Sequence, residues 1–201
     1  MLWLGGFGDY LMLYRVAWIG GRLGGGKTCL AYALARYVAR REGFGIISNI
    51  EAVGAARTFD RDQPVDRHVV VLDEAADFLD SYSGSSMNLL PAFKYARHFE
   101  LCYLFPSIDP IQKRLRKLVV MAYSDMPTAL LLGFRRVFLY RWWVGPDVDP
   151  PSKKDHVPHG WIVYVPGRSD WAYNGVHRGR GLTTLLIIKR LLQEMREAEN
   201  E

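Results

Sequence analysis

Apolar runs, each closed by glycine or a polar group, pace the first part of the chain. Residues 16–19 (VAWI) are uninterrupted and predict a strand over 15–20. Leu30, Leu34, Tyr37 and Val38 then recur at helical spacing and predict a helix over 29–41. Arg36, Arg40 and Arg41 are available to its outer face, and the last two suit the negative end of the helix. Gly43 and Gly45 stop it. Residues 44–50 (FGIISNI) predict a second strand, with Ser48 and Asn49 at its C-terminal edge, where open α/β sheets gather ligands. Residues 51–67, with Gly54 and Pro64, are a polar connection with room for a short strand. Residues 68–74 (HVVVLDE) predict a buried parallel strand ending in carboxylates.

Later segments follow the same grammar. A Ser/Gly-rich loop spans 78–88 and a helix is expected over 89–98, with Pro91 near its start. Residues 100–105 (ELCYLF) predict a strand followed by Pro106, Ser107 and Asp109. Residues 111–118 (IQKRLRKL) predict a short helix with Ile111, Leu115 and Leu118 on one face and four basic residues elsewhere. Such a charge run is usually a solvated face, and beside a sheet's functional edge it is also a candidate phosphate-backbone contact. Residues 118–123 predict another strand, and 129–144 a hairpin or long strand. After an exposed loop over 145–158 come a strand at 161–165, a polar loop at 170–180 and an amphipathic helix at 182–195. The apolar opening, residues 1–14, predicts an extra edge strand or an arm covering the core; its Trp3, Phe7 and Tyr10 could alternatively meet a neighbouring subunit.

The chemistry sits at the first strand–helix junction. Gly21 to Thr28 reads GRLGGGKT and fits G-x-x-x-x-G-K-[ST], the phosphate-binding loop of P-loop nucleotidases, in the strand–loop–helix context that the motif requires. Gly21, Gly24, Gly25 and Gly26 let the backbone curl and bring its N–H groups to a polyphosphate. Lys27 places a compact charge between the β- and γ-phosphates, and the Thr28 hydroxyl can ligate Mg²⁺. Cys29, directly after the motif, is counted with the nucleotide-binding residues. Asp73 is the second candidate Mg²⁺ residue, and Glu74 the candidate general base for an attacking water. An Asp-Glu pair after a strand is also a common helix start, and the upstream P-loop is what favours the functional reading.

Composition adds limits. The chain has 201 residues, enough for one domain with a sizeable core, and 49% hydrophobic content argues against disorder. A net charge of +5 permits a polyanionic partner without demanding one. Cys29 and Cys102 lack metal-ligand spacing and are expected as reduced core thiols of a cytoplasmic protein. No run approaches about 18 uncharged apolar residues, so no transmembrane helix is expected, nor is a signal peptide.

A water-activating Glu beside the metal-binding Asp suits hydrolysis better than the transfer of phosphate by a small-molecule kinase. The strand at 100–105 falls between the Asp-Glu strand and the end of the core. In this class such an inserted strand carries a polar γ-phosphate sensor at its tip, where Ser107 is the best-placed residue. G-protein N-K-x-D signals and the ABC signature are absent; the nearest run, SGSS at 83–86, does not match.

The order GRLGGGKT, SNIE at 48–51, VVVLDEA at 69–75, a helix ending in Arg97-His98, ELCYLF and IDPIQKRLRKL resembles the zonula occludens toxin (Zot) domain family, which includes filamentous-phage assembly ATPases. More distantly it resembles the HerA/FtsK DNA-pumping ATPases, including packaging ATPases of membrane-containing viruses. The resemblance runs from about residue 15 to residue 123. It implies a RecA-like α/β P-loop NTPase, a mainly parallel sheet flanked by helices. The pattern of elements divides the chain into a core with an N-terminal arm over 1–144 and a small β-rich extension with a terminal helix over 145–201. The resemblance also implies ATP and Mg²⁺ as cofactors, a homo-oligomeric ring, and ATP hydrolysis that moves DNA or assembles a virion. DNA and a viral structural or membrane protein are the implied partners, in the host cytoplasm or with the virion. Lys27, Thr28, Asp73 and Glu74 carry over directly, and Arg97 matches an arginine that precedes the sensor strand, a candidate trans-acting finger, the plain alternative being that it pairs with a carboxylate at a helix end. Two departures stand out. The family's Gln at the end of the sensor strand is missing from Phe105-Pro106-Ser107, and the membrane span usual after the ATPase domain is absent. The first leaves a nucleotide-gated interaction module with little turnover as the alternative; the second favours a soluble packaging-type motor or an assembly ATPase that works with a separate membrane partner.

Overall fold

The computed structural model describes residues 1–49, 57–58, 66–74, 95–108, 120–124, 129–131, 135–144 and 158–167. The elements expected at 78–88, 111–118, 170–180 and 182–195 lie outside the described residues, as do residues 89–94 of the expected helix, the loop over 145–157 and the terminal residues 197–201.

Val16–Gly21 (β2) is buried at every residue, which is why its apolar run shows no alternation. It pairs in parallel with Cys102–Pro106 (β6) on one side and Val120–Ser124 (β7) on the other. Beyond β6 lie His68–Val71 (β5), Gly45–Ser48 (β3) and the short Arg57–Thr58 (β4), all parallel. The strand at 102–106 is thus inserted between the P-loop strand and the Asp-Glu strand. β7 carries an antiparallel flank made of Arg135–Val144 (β9), Gly160–Tyr164 (β10) and Leu2–Trp3 (β1). Ala129–Leu131 (β8) forms the expected hairpin with β9. Among the described residues the result is one mixed sheet of ten strands, mostly parallel, in the order β1-β10-β9-β7-β2-β6-β5-β3-β4 with β8 on β9.

Both described helices, Phe7–Tyr14 (α1) and Lys27–Glu42 (α2), cover the same face. Leu30, Leu34 and Val38 of α2 pack with Ile19, Val71 and Leu104, and Ala31 and Ala35 keep the helix close to the sheet. Each buried aliphatic side chain of this layer contributes roughly 1.5–3 kcal/mol. α2 ends on Gly43 in the left-handed region (φ 73°), whose N–H bonds Ala39 O at 2.9 Å. Cys29 and Cys102 are free and buried, and burial pushes the Cys102 thiol up to about 12.

The opening segment differs in part from its reading. An edge strand is present, with Leu2 opposite Tyr164 and Trp3 opposite Val163. A helix follows it, in a segment rich in glycine that the strand-or-arm reading does not include. Gly6 at φ 86° caps that helix, and Phe7 and Leu11, one turn apart, are fully buried in the core. No helix among the described residues is long and apolar enough to cross a membrane.

Candidate functional site

Because β2, β3, β5, β6 and β7 run parallel, the residues that follow them gather at one edge of the sheet. Gly21, Asn49, Asp73, Ser107 and Ser124 all lie there, and the loop at 21–26 arches from β2 into α2. Gly21 has φ 140°, and a Cβ on it would stand 2.6 Å from Ser124 O. Gly24 and Gly26 are also in the left-handed region, at φ 76° and 77°. A Cβ at Gly26 would meet the Phe138 ring at 2.8 Å. Gly26→Ala is therefore expected to cost about 1–2 kcal/mol from backbone strain before any ring movement. A urea midpoint equal to that of the natural chain would contradict this.

The first bond of the α2 ladder runs from Leu30 N–H to Gly26 O at 2.8 Å, so the N–H groups of Lys27, Thr28 and Cys29 precede it at the positive end of the helix. The Cys29 side chain lies in the core beneath, which leaves its backbone as the part suited to a phosphate. Lys27 is buried, with Nζ 3.3 Å from Arg22 O. Burial holds its ammonium below the usual lysine range, while the Glu74 and Asp73 carboxylates pull the other way.

The two halves of the expected site meet. Thr28 Oγ1 donates to Asp73 Oδ1 at 2.9 Å, across 45 residues of sequence. Asp73 is held from behind by Asn49: Nδ2 donates to Asp73 O at 2.9 Å, and Asn49 Oδ1 accepts from Asp73 N–H at 2.8 Å. A second buried contact joins the Tyr32 hydroxyl, one turn after Thr28, to Ser48 Oγ at 2.5 Å. Glu74 is half-buried with φ 53°; its N–H bonds Pro106 O at 2.9 Å, and its Oε2 accepts from Ile108 N–H at 3.4 Å. Ser107 N–H bonds Ile19 O at 3.1 Å, which sets Ser107 beside the root of the P-loop. Its hydroxyl is buried and has no hydrogen-bond partner among the described residues.

Arg97 is elsewhere. It precedes β6 and so lies at the opposite edge of the sheet, exposed, with its guanidinium donating to Leu13 O in the last turn of α1. It does not reach the P-loop of its own chain.

Some contacts were not foreseen. The Tyr140 hydroxyl, from β9, donates to Gly25 O in the loop. The period-2 alternation of residues 135–144 does put Phe138, Tyr140 and Trp142 on one face, but nothing in sequence brings that face to the P-loop.

No protein-family model matches the chain. No curated protein matches it either. Among solved structures, the chain is similar to the N-terminal domain of zonular occludens toxin from Neisseria meningitidis, with a TM-score of 0.48 and 17% identity over 79% of this chain and 98% of that one.

Proposed function

We propose that the chain is a Mg²⁺-dependent P-loop ATPase of the Zot/HerA-FtsK type whose turnover powers phage or viral morphogenesis, either DNA packaging and translocation or virion assembly. The observation that carries the ATPase reading is the Thr28–Asp73 hydrogen bond. A hydroxyl and a carboxylate, both hard oxygen donors, stand together beside a buried lysine and a left-handed glycine loop. Thr28 and Asp73 would hold Mg²⁺, which when bound neutralises the charge of the β- and γ-phosphates.

The chain's own residues supply the rest. Gly21, Gly24, Gly25 and Gly26 and the α2 N-terminus cradle the phosphates. Lys27, already desolvated, pairs with them. Ser107 offers its unpartnered hydroxyl to the γ-phosphate. Glu74 takes a proton from the attacking water as the bond from the γ-phosphorus to the bridging oxygen breaks. Arg97 acts only between copies, reaching a neighbour's γ-phosphate in a ring; mixing Arg97→Ala with Lys27→Ala would then restore activity that neither variant has alone, and no restoration counts against a finger acting between copies.

Titration of the full chain with ATP, with and without Mg²⁺, tests the reading. Binding that Lys27→Ala weakens at least about tenfold is expected, and hydrolysis stimulated by DNA supports the motor. ATPase activity indifferent to DNA, with no ring by light scattering, counts against it. Tight binding without turnover favours the nucleotide-gated module, for which Pro106-Ser107 in place of a sensor Gln is the specific observation.

A further inference from the structure

β9 touches two consecutive glycines of the P-loop. Phe138 leaves no room for a side chain at Gly26, and the Tyr140 hydroxyl donates to Gly25 O. The strand belongs to the antiparallel flank and joins the parallel sheet only through β7. The loop is otherwise tied by its own chain: Gly25 N–H to Arg22 O at 3.0 Å and Lys27 Nζ to Arg22 O at 3.3 Å. A carbonyl that points at Tyr140 commits the peptide it belongs to, and the N–H of that peptide is the N–H of Gly26. Fixing the Gly25 carbonyl therefore fixes where the Gly26 N–H points. In a loop of four glycines, the unbound backbone has many other orientations to visit.

We propose that Tyr140 is a positioning residue for the nucleotide: by holding the Gly25 carbonyl it turns the Gly25–Gly26 peptide so that its N–H faces the phosphates. This rests on the ATP-binding reading above. The tyrosine is suited to the task. It is fully buried in the layer of Phe138, Trp142 and Tyr164, so its ring has little freedom. Burial, with a smaller contribution from Cys29, pushes its phenol well above the usual tyrosine range, so it remains a donor wherever the fold stands. Trp142, two residues along the same face, packs on Phe7, Tyr10 and His159, which anchors the strand from α1 and from the residue before β10.

The test is nucleotide affinity, measured on the full chain with a fluorescent ATP analogue and with ADP, in Tyr140→Phe and in Tyr164→Phe. Tyr164 lies in the same layer and stacks on Phe138 at 6.2 Å between ring centroids. Tyr140→Phe is expected to raise Kd about three- to tenfold for both nucleotides, with the melting temperature of the nucleotide-free chain little changed. Kd within about 1.5-fold of the natural chain overturns the proposal, whatever the melting temperature does. An equal rise in Tyr164→Phe also overturns it, because the effect then belongs to the packing of the layer. If the natural chain binds neither nucleotide, it is the ATP-binding reading that fails first.

Discussion

Glu74→Gln is expected to bind MgATP as the natural chain does and to hydrolyse it about 10²–10⁴ times more slowly. The substitution keeps the size of the side chain and its ability to accept from Ile108 N–H, and removes only the capacity to take a proton. Its charge also acts on Lys27, whose ammonium Glu74 stabilises against burial. Gln therefore lowers the Lys27 pKa further, an effect that phosphate binding offsets. The backbone offers an independent arm. Glu74 holds φ 53°, a conformation that costs a non-glycine residue about 1–2 kcal/mol. Glu74→Gly should therefore leave stability equal or improved while turnover is lost. Residues kept in such conformations against their preference concentrate at functional sites. Single-turnover hydrolysis and urea melts of the two variants check this together. Turnover of Glu74→Gln within fivefold of the natural chain, roughly 1 kcal/mol of barrier, would remove Glu74 from the general-base role.

Much of the parallel sheet was legible because its signals are local. A buried parallel strand is an unbroken apolar run, as in 16–19 and 69–72, and an α-helix shows its face within a few turns, as Leu30, Leu34 and Val38 do. Gly21 to Thr28 was readable for the same reason, since the motif encodes one loop. Pairings over long separations were not. Leu2 against Tyr164 spans nearly the whole chain, and only the fold determines that the first strand caps the last described one. α1 was hidden by its glycines, which cap and permit the helix where composition suggests a turn. Asn49 was visible as a polar group at a strand end, but what it holds depends on β3 and β5 being neighbours. Arg97 shows the converse: its place before β6 was readable, and its contact with Leu13 O at the far edge was not.

The Asn49 contact carries the largest stability effect expected of a single side chain near the site. Asn49 is 5% exposed and satisfies both the N–H and the C=O of Asp73, at 2.8 and 2.9 Å. Asn49→Ala removes both hydrogen bonds to the buried Asp73 backbone, each loss costing about 1–3 kcal/mol, so about 3 kcal/mol of stability should be lost. Water reaching the gap would reduce the figure, but Asn49, Asp73 and Ser48 are all buried. Asn49→Asp separates hydrogen bonding from packing. The carboxylate still accepts from Asp73 N–H, but it faces the Asp73 carbonyl without a proton to give and adds charge beside the Asp73 carboxylate. Burial and that charge both raise its folded-state pKa above the unfolded value. A raised carboxyl pKa means that the folded state takes up a proton more readily than the unfolded chain, so stability is regained as pH falls through the raised value. Once protonated, the acid donates to Asp73 O much as the amide does. Asn49→Asp should therefore close part of its gap to the natural chain between about pH 8 and about pH 5, whereas Asn49→Ala should keep a constant gap. Urea melts across that range decide it. A loss below about 1 kcal/mol in Asn49→Ala, or parallel pH profiles for the two variants, would mean that Asp73 is positioned by its strand and not by Asn49.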